Sequence, residues 1–142
     1  METTSEDFTV SLFRDGTRVD AADSVVVLPP GFEIVAPIAS EVYRRSADAI
    51  TVTWEPTSTG GETMRLSVVT SCIDGSSHEY EQAITGDPGT ATLAAGSLEG
   101  NGQCNSLIEV ARSAVGTLDR AFGNGGVIAA HQVRSVAVVT TD

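Results

Sequence analysis

An all-β fold, built as a sandwich or a barrel, is what this sequence predicts on three observations. Short runs rich in β-branched residues recur, separated by clusters of Gly, Pro, Asp and Ser, which is the spacing of strands and turns. No segment repeats apolar residues at i, i+3, i+4 and i+7 over successive turns, so the helical period is missing. The third observation is where the only two cysteines fall. Cys72 shares the alternating parity of Met64, Leu66 and Val68, and Cys104 shares that of Ile108 and Val110. Strand side chains alternate faces, so both sulfurs point into one core. A Cys72–Cys104 disulfide is the simple reading, and two buried thiols acting as small hydrophobes are the alternative. A disulfide would point to an oxidising compartment.

The elements follow in order. Residues 8–12 alternate cleanly, Asp15-Gly16 signals a turn, and the apolar run 24–28 is expected to pair back as a hairpin. Pro29-Pro30-Gly31 ends that segment, and residues 32–36 restart an extended stretch limited by Pro37, because proline cannot donate to a ladder. Residues 49–55 are the clearest strand, with Ile50, Val52 and Trp54 on one face and Thr51, Thr53 and Glu55 on the other. Strands are then expected over 64–72, 78–84, 90–93 and 104–111, with turns at Asp74-Gly75 and Asp87-Pro88-Gly89. Residues 116–126 form a long Gly- and Asn-rich loop with a helical turn over 118–122, and 127–140 closes the chain. Parity slips within that last segment, from Val127, Ala129 and Val133 to Val136 and Val138, which predicts a bulge near Arg134 or Ser135. Residues 1–31 are expected to form a hairpin extension packed on a sandwich of residues 32–142, because an isolated hairpin is marginal in water.

Composition narrows the function classes. The chain of 142 residues carries 19 acidic and 8 basic residues, for a net charge of −11, and every basic residue is arginine. Such a field repels phosphate backbones and anionic lipid, so nucleic-acid binding is not expected. No apolar run is long enough to span a bilayer, so no membrane insertion by this segment is expected. Residues 1–7 are polar and acidic, unlike a secretion signal; export would imply a leader removed ahead of this sequence.

From Phe32 onward the chain resembles a fibronectin type III-like or immunoglobulin-like β-sandwich. AITVTWEP, with Trp54 late and a proline two residues on, matches strand B; MRLSVVTSC matches strand C, HEYEQAI strand C′, TATLAAGSL strand E, CNSLIEVARS strand F and the final stretch strand G. In that fold C and F are antiparallel neighbours, which places Cys72 beside Cys104. Trp54 precedes both cysteines, whereas the immunoglobulin pattern sets the tryptophan between them, and the tyrosine-corner residue is missing. Such modules recur in bacterial surface proteins and lipoproteins as spacers or adhesion units. The resemblance therefore implies a non-catalytic, extracytoplasmic structural or adhesion module, which is secreted, periplasmic or anchored at the cell surface. GTLDRAFGNGGVI is similar to a motif of tandem bacterial propeller repeats, but it occurs once and reads as a loop solution.

No local pattern supports catalysis or a cofactor. There is no GxSxG elbow, no HxH or HExxH spacing between His78 and His131, and no DxDxDG loop among Asp15, Asp20, Asp23, Asp74 and Asp87. No cofactor, no metal site and no enzyme activity are expected. Trp54 reads as core and not as a stacking platform, because it shares the parity of Ile50 and Val52; Phe13, Tyr43 and Phe122 are the candidates for exposed rings. Leu118, Asp119, Arg120 and Phe122 mark a candidate partner-binding loop, against the plainer reading of a helical turn plugging one end of the sandwich. Two rival functions remain. One is a self-assembling subunit, in which the apolar run 8–13 or the last strand adds to a neighbour's open sheet edge. The other is a small carbohydrate- or calcium-binding module.

Overall fold

A computed structural model describes residues 11–14, 16–20, 23–123 and 125–142. Ten strands appear among them: β1 (Ser11–Arg14), β2 (Thr17–Asp20), β3 (Glu33–Ala36), β4 (Val42–Arg44), β5 (Ile50–Glu55), β6 (Thr63–Cys72), β7 (Ser77–Ile84), β8 (Thr90–Leu93), β9 (Cys104–Val115) and β10 (Ala129–Thr141). The only helical element among the described residues is a 3-10 turn, Arg120–Phe122. The fold is all-β. It divides into a smaller compact unit, which joins described residues before Leu28 to Val115–Ala130, and a larger one, Leu28–Ala114 with His131–Asp142.

In the smaller unit β1 pairs antiparallel with β2, with Arg14 opposite Thr17 and Ser11 opposite Asp20. The partner expected for the first strand was the run 24–28. The chain instead pairs straight back on residues 17–20, as tight hairpins do, and Gly16 takes a positive φ of 77°. The 24–28 run is no strand; Val25 alone forms a bridge to Thr117. Residues 8–10 lie outside the described set.

The larger unit has two sheets around one core: a five-stranded sheet ordered β4-β10-β9-β6-β7 and a three-stranded sheet ordered β3-β5-β8. Period-2 alternation explains the core directly. Ile50, Val52 and Trp54 of β5 and Ala91 and Leu93 of β8 meet Met64, Leu66 and Val68 of β6, Ile108 and Val110 of β9 and Val138 of β10. Each fully enclosed aliphatic side chain contributes roughly 1.5–3 kcal/mol relative to exposure. Exposure along β10 alternates without a slip from Ala129 to Thr141, so the expected bulge is not needed: Ala129 and Val133 simply face outward, and Val133 is exposed.

β4 has no counterpart in the sequence reading. It pairs parallel with the end of β10, Val42 opposite Val139 and Arg44 opposite Thr141, and it packs the half-buried Tyr43 against the core instead of leaving it exposed. The free edge β7 turns Glu79 and Glu81 outward, and charges on an edge strand oppose pairing with another chain.

Candidate functional site

The facing residues of β6 and β9 form a graded series along one shared inner face. Met64 stands opposite Arg112, Leu66 opposite Val110, Val68 opposite Ile108, Thr70 opposite Ser106, and Cys72 opposite Cys104. The middle of the series is aliphatic, and both ends are polar, each organised around a buried arginine.

At one end the two sulfurs are bonded, with an S–S distance of 2.07 Å. These are the cysteines whose parity placed them on one face, and the bridge links neighbouring strands of a single sheet. The Ile73 N–H donates to the Gln103 carbonyl one step beyond. The cysteines therefore occupy a non-hydrogen-bonded position, where facing Cα atoms come closest; their separation is 3.9 Å. Arg45, on the segment just after β4, extends its buried guanidinium across this end. Its Nη1 lies 3.2 Å from Cys104 Sγ and 3.2 Å from Thr140 Oγ1. Its Nη2 donates to the Gly102 carbonyl at 2.8 Å and ion-pairs with the exposed carboxylate of Asp142. Hydroxyls carry the network inward, from Thr140 to Ser106 at 3.1 Å and on to Thr70 at 3.0 Å. Charge-assisted and mutually aligned bonds of this kind are what allow polar groups to be buried.

A shallow depression opens beside the bridge, lined among others by Arg45, Asp74, His78, Glu99, Gly100 and Asp142. The loop over it is tied down on both sides. Asn101 Nδ2 donates to Asp74 Oδ2 at 3.3 Å, and the Gly102 N–H donates to Asp142 Oδ2 at 2.8 Å. The Ser76 hydroxyl and N–H hold the Asp74 carboxyl below the usual aspartate range. Gly100 sits directly on the sulfurs: a Cβ there would stand 2.9 Å from both Cys72 Sγ and Cys104 Sγ. No side chain fits at that position without moving the loop.

At the other end Arg112 is fully enclosed. It ion-pairs with Asp87 at 2.7 Å, and the two side chains are 0% and 1% exposed. It donates to the carbonyls of Pro30 at 2.7 Å and Pro56 at 2.6 Å, and its guanidinium lies 4.7 Å from the centroid of the Phe32 ring. Asp87 also accepts from Trp54 Nε1 and from the Ser58 N–H, both at 2.7 Å. A single ion pair thus gathers three loops onto the end of β9. Sequence analysis placed Asp87 only in a turn; the structure gives its carboxylate to Arg112 and Trp54. A signal was present, since Arg112 shares the parity of Cys104, Ile108 and Val110. Arg45 carried no comparable signal, because β4 and its flanks have no periodicity.

Asp119 lies in the smaller unit, where it caps the 3-10 turn: its Oδ1 accepts from the Ala121 N–H at 2.7 Å and its Oδ2 from the Asp23 N–H at 3.0 Å. Those donors, Ala121 first, hold its carboxyl below the ordinary range. Leu118 and Phe122 are half-buried and Arg120 is exposed. Gly116 supports this arrangement, because a Cβ there would overlap the Val25 carbonyl and stand 2.7 Å from Val26 Cβ. The two histidines do not meet: His78 Nδ1 pairs with Glu99 at 3.1 Å, and His131 Nδ1 with Ser113 at 2.7 Å. No group of three metal-ligating side chains forms among the described residues, and no described helix is long and apolar enough to cross a membrane. The Phe13 side chain and Asp15 fall outside the described set. No protein-family model, curated protein or solved structure matches the chain.

Proposed function

We propose that this chain is a non-catalytic, extracytoplasmic module of the immunoglobulin-like or fibronectin type III-like kind, with a structural or adhesive role. The observation that carries the reading is the Cys72–Cys104 bond on the core side of two neighbouring strands, since disulfides persist in oxidising compartments. The strand order supports it. β3-β5-β8 facing β4-β10-β9-β6-β7 corresponds to A, B and E against A′, G, F, C and C′, the division of such sandwiches. The polar groups at both ends are turned to structural use, Arg112 as a clamp on loops and Arg45 as a brace over the bridge.

The test is thiol counting on protein isolated from the extracytoplasmic fraction of its host and alkylated before denaturation. Both cysteines should escape alkylation and appear as one linked peptide pair. Two alkylated cysteines in that material, or recovery of the protein only from a reducing compartment, would overturn the reading.

Strand-addition assembly is the second reading, and the structure shifts its terms. The C-terminal part of β10 lies between β4 and β9, so that part of the last strand is not free to add to a neighbour. Light scattering on the full chain distinguishes the two, since an assembler is oligomeric at micromolar concentration and a spacer is monomeric.

A further inference from the structure

We propose that the Cys72–Cys104 bond is an exchangeable disulfide, a thiolation site at which Cys72 takes the incoming sulfur and Cys104 leaves as a thiolate held by Arg45. Three independent features support this. The bridge joins directly facing residues of adjoining antiparallel strands, and those strands are already held together by the ladder that runs from it to Thr63 and Ser113, with the Ile73 N–H to Gln103 carbonyl bond one step beyond. Opening the bond therefore leaves the ladder and the aliphatic rows beyond it in place, so reduction does not require the core to come apart. The two sulfurs also have unequal surroundings. Arg45, whose side chain is 5% exposed, places Nη1 3.2 Å from Cys104 Sγ, and a fixed cation beside a sulfur favours its thiolate form. Lower leaving-group basicity speeds thiol–disulfide exchange. Among the described residues Cys72 has no such donor, and it is the less enclosed of the two, 9% exposed against 2%. Finally, what covers the sulfurs is a glycine in a loop between residues 99 and 103, tied by Asp74 and Asp142. Those two ties run to exposed carboxylates, and a third, from Arg45 Nη2 to the Gly102 carbonyl, holds residue 102, so Gly100 lifts by release of the two exposed ties without a change in the sheets.

The chemistry balances with an external dithiol as the reductant. Its thiolate attacks Cys72 Sγ, the Cys72–Cys104 bond breaks, and the electron pair departs on Cys104 Sγ beside Arg45. The second thiol of the reagent, after losing its proton to solvent, attacks the mixed disulfide and expels Cys72 as a thiolate that solvent protonates. Two electrons pass to the protein, and the reagent closes to its own cyclic disulfide. A monothiol such as glutathione has no tethered second thiol, and its first step yields an adduct on Cys72. Asp142 opposes the first step, because its carboxylate shares Arg45.

The experiment treats the full-length protein with dithiothreitol without denaturant. Thiols are counted by alkylation over time while Trp54, the sole tryptophan, reports the core. Reduction should run to completion with Trp54 emission unchanged, and glutathione should leave its adduct on Cys72 in peptide mapping. Arg45→Gln should slow the reaction severalfold, because a leaving thiol of higher pKa departs more slowly. Asp142→Asn, which alters an exposed side chain, should accelerate it by a similar factor and serves as the deciding variant where Arg45→Gln does not fold. Reduction that proceeds only in step with loss of native Trp54 emission overturns the proposal, as does an adduct on Cys104, or an Asp142→Asn rate equal to or below that of the parent. Exchange stands apart from the adhesive role: an inert bond leaves that role intact, and a reactive one does not establish it.

Discussion

The two buried arginines solve the same problem with different partners. Arg112 is matched by an aspartate as enclosed as itself, with backbone carbonyls and an aromatic face around it, while its Nε is left without a hydrogen-bond partner among the described residues. Arg45 is nearly as buried, yet its carboxylate partner Asp142 is 65% exposed and its other contacts are a sulfur, a hydroxyl and a loop carbonyl. The first is closed on every side, and nothing can reach it while the fold persists. The second is one wall of a depression that opens to solvent. Burial of a charge is thus no guide to its role; the exposure of its partner separates a clamp from a site that can react.

This contrast can be broken most directly at the closed end. Arg112→Met should leave Asp87 buried without its cation and cost about 3–5 kcal/mol, read as a lowered midpoint in urea followed by Trp54 fluorescence. A loss below 1 kcal/mol would mean that Asp87 escapes to water and that this end is not closed. At the open end, Cys72→Ser with Cys104→Ser should cost roughly 3–4 kcal/mol in the chain-entropy treatment of the closed loop, with native emission retained in the absence of denaturant. Arg45→Met should be milder, about 1–3 kcal/mol, since it orphans hydrogen-bond acceptors while Asp142 remains solvated. A cost as large as that of Arg112→Met would erase the distinction between the two ends. The smallest effect is at Tyr43. Burial first, and the hydrogen bond to Glu41 second, push its phenol up to about 12 from 10.0. A raised folded value favours the protonated form. Its contribution to stability is therefore full below pH 10 and is lost as pH rises from 10 towards 12, which ultraviolet titration alongside unfolding midpoints will show.

Much of the larger unit was legible because its strands are long enough to display a period. Ile50, Val52 and Trp54, or Met64, Leu66 and Val68, declare a face without help from the rest of the chain, and the same rule placed both cysteines on one side. What escaped was set by context. β4 is three residues long, too short for any pattern, and exists because the end of β10 offers it a parallel edge. The run 24–28 has strand composition but no ladder to join, and its hairpin role went to 17–20, whose residues follow the Asp15-Gly16 turn directly. Of the two polar ends, Arg112 was readable as a charge on an apolar parity. Arg45 depends on loop residues from distant parts of the chain, and no spacing rule connects 45, 102, 104 and 142.

The separation of 32 residues between the bonded cysteines has a mechanical consequence. β7 and β8 both lie inside that covalent loop. A load applied between the two ends of this chain would bypass them, so the oxidised molecule, when pulled out, should fall short of the reduced one by roughly 110 Å of contour, at about 3.5 Å per residue. Opening one sulfur–sulfur link would then convert a stiff tether into one with slack to release.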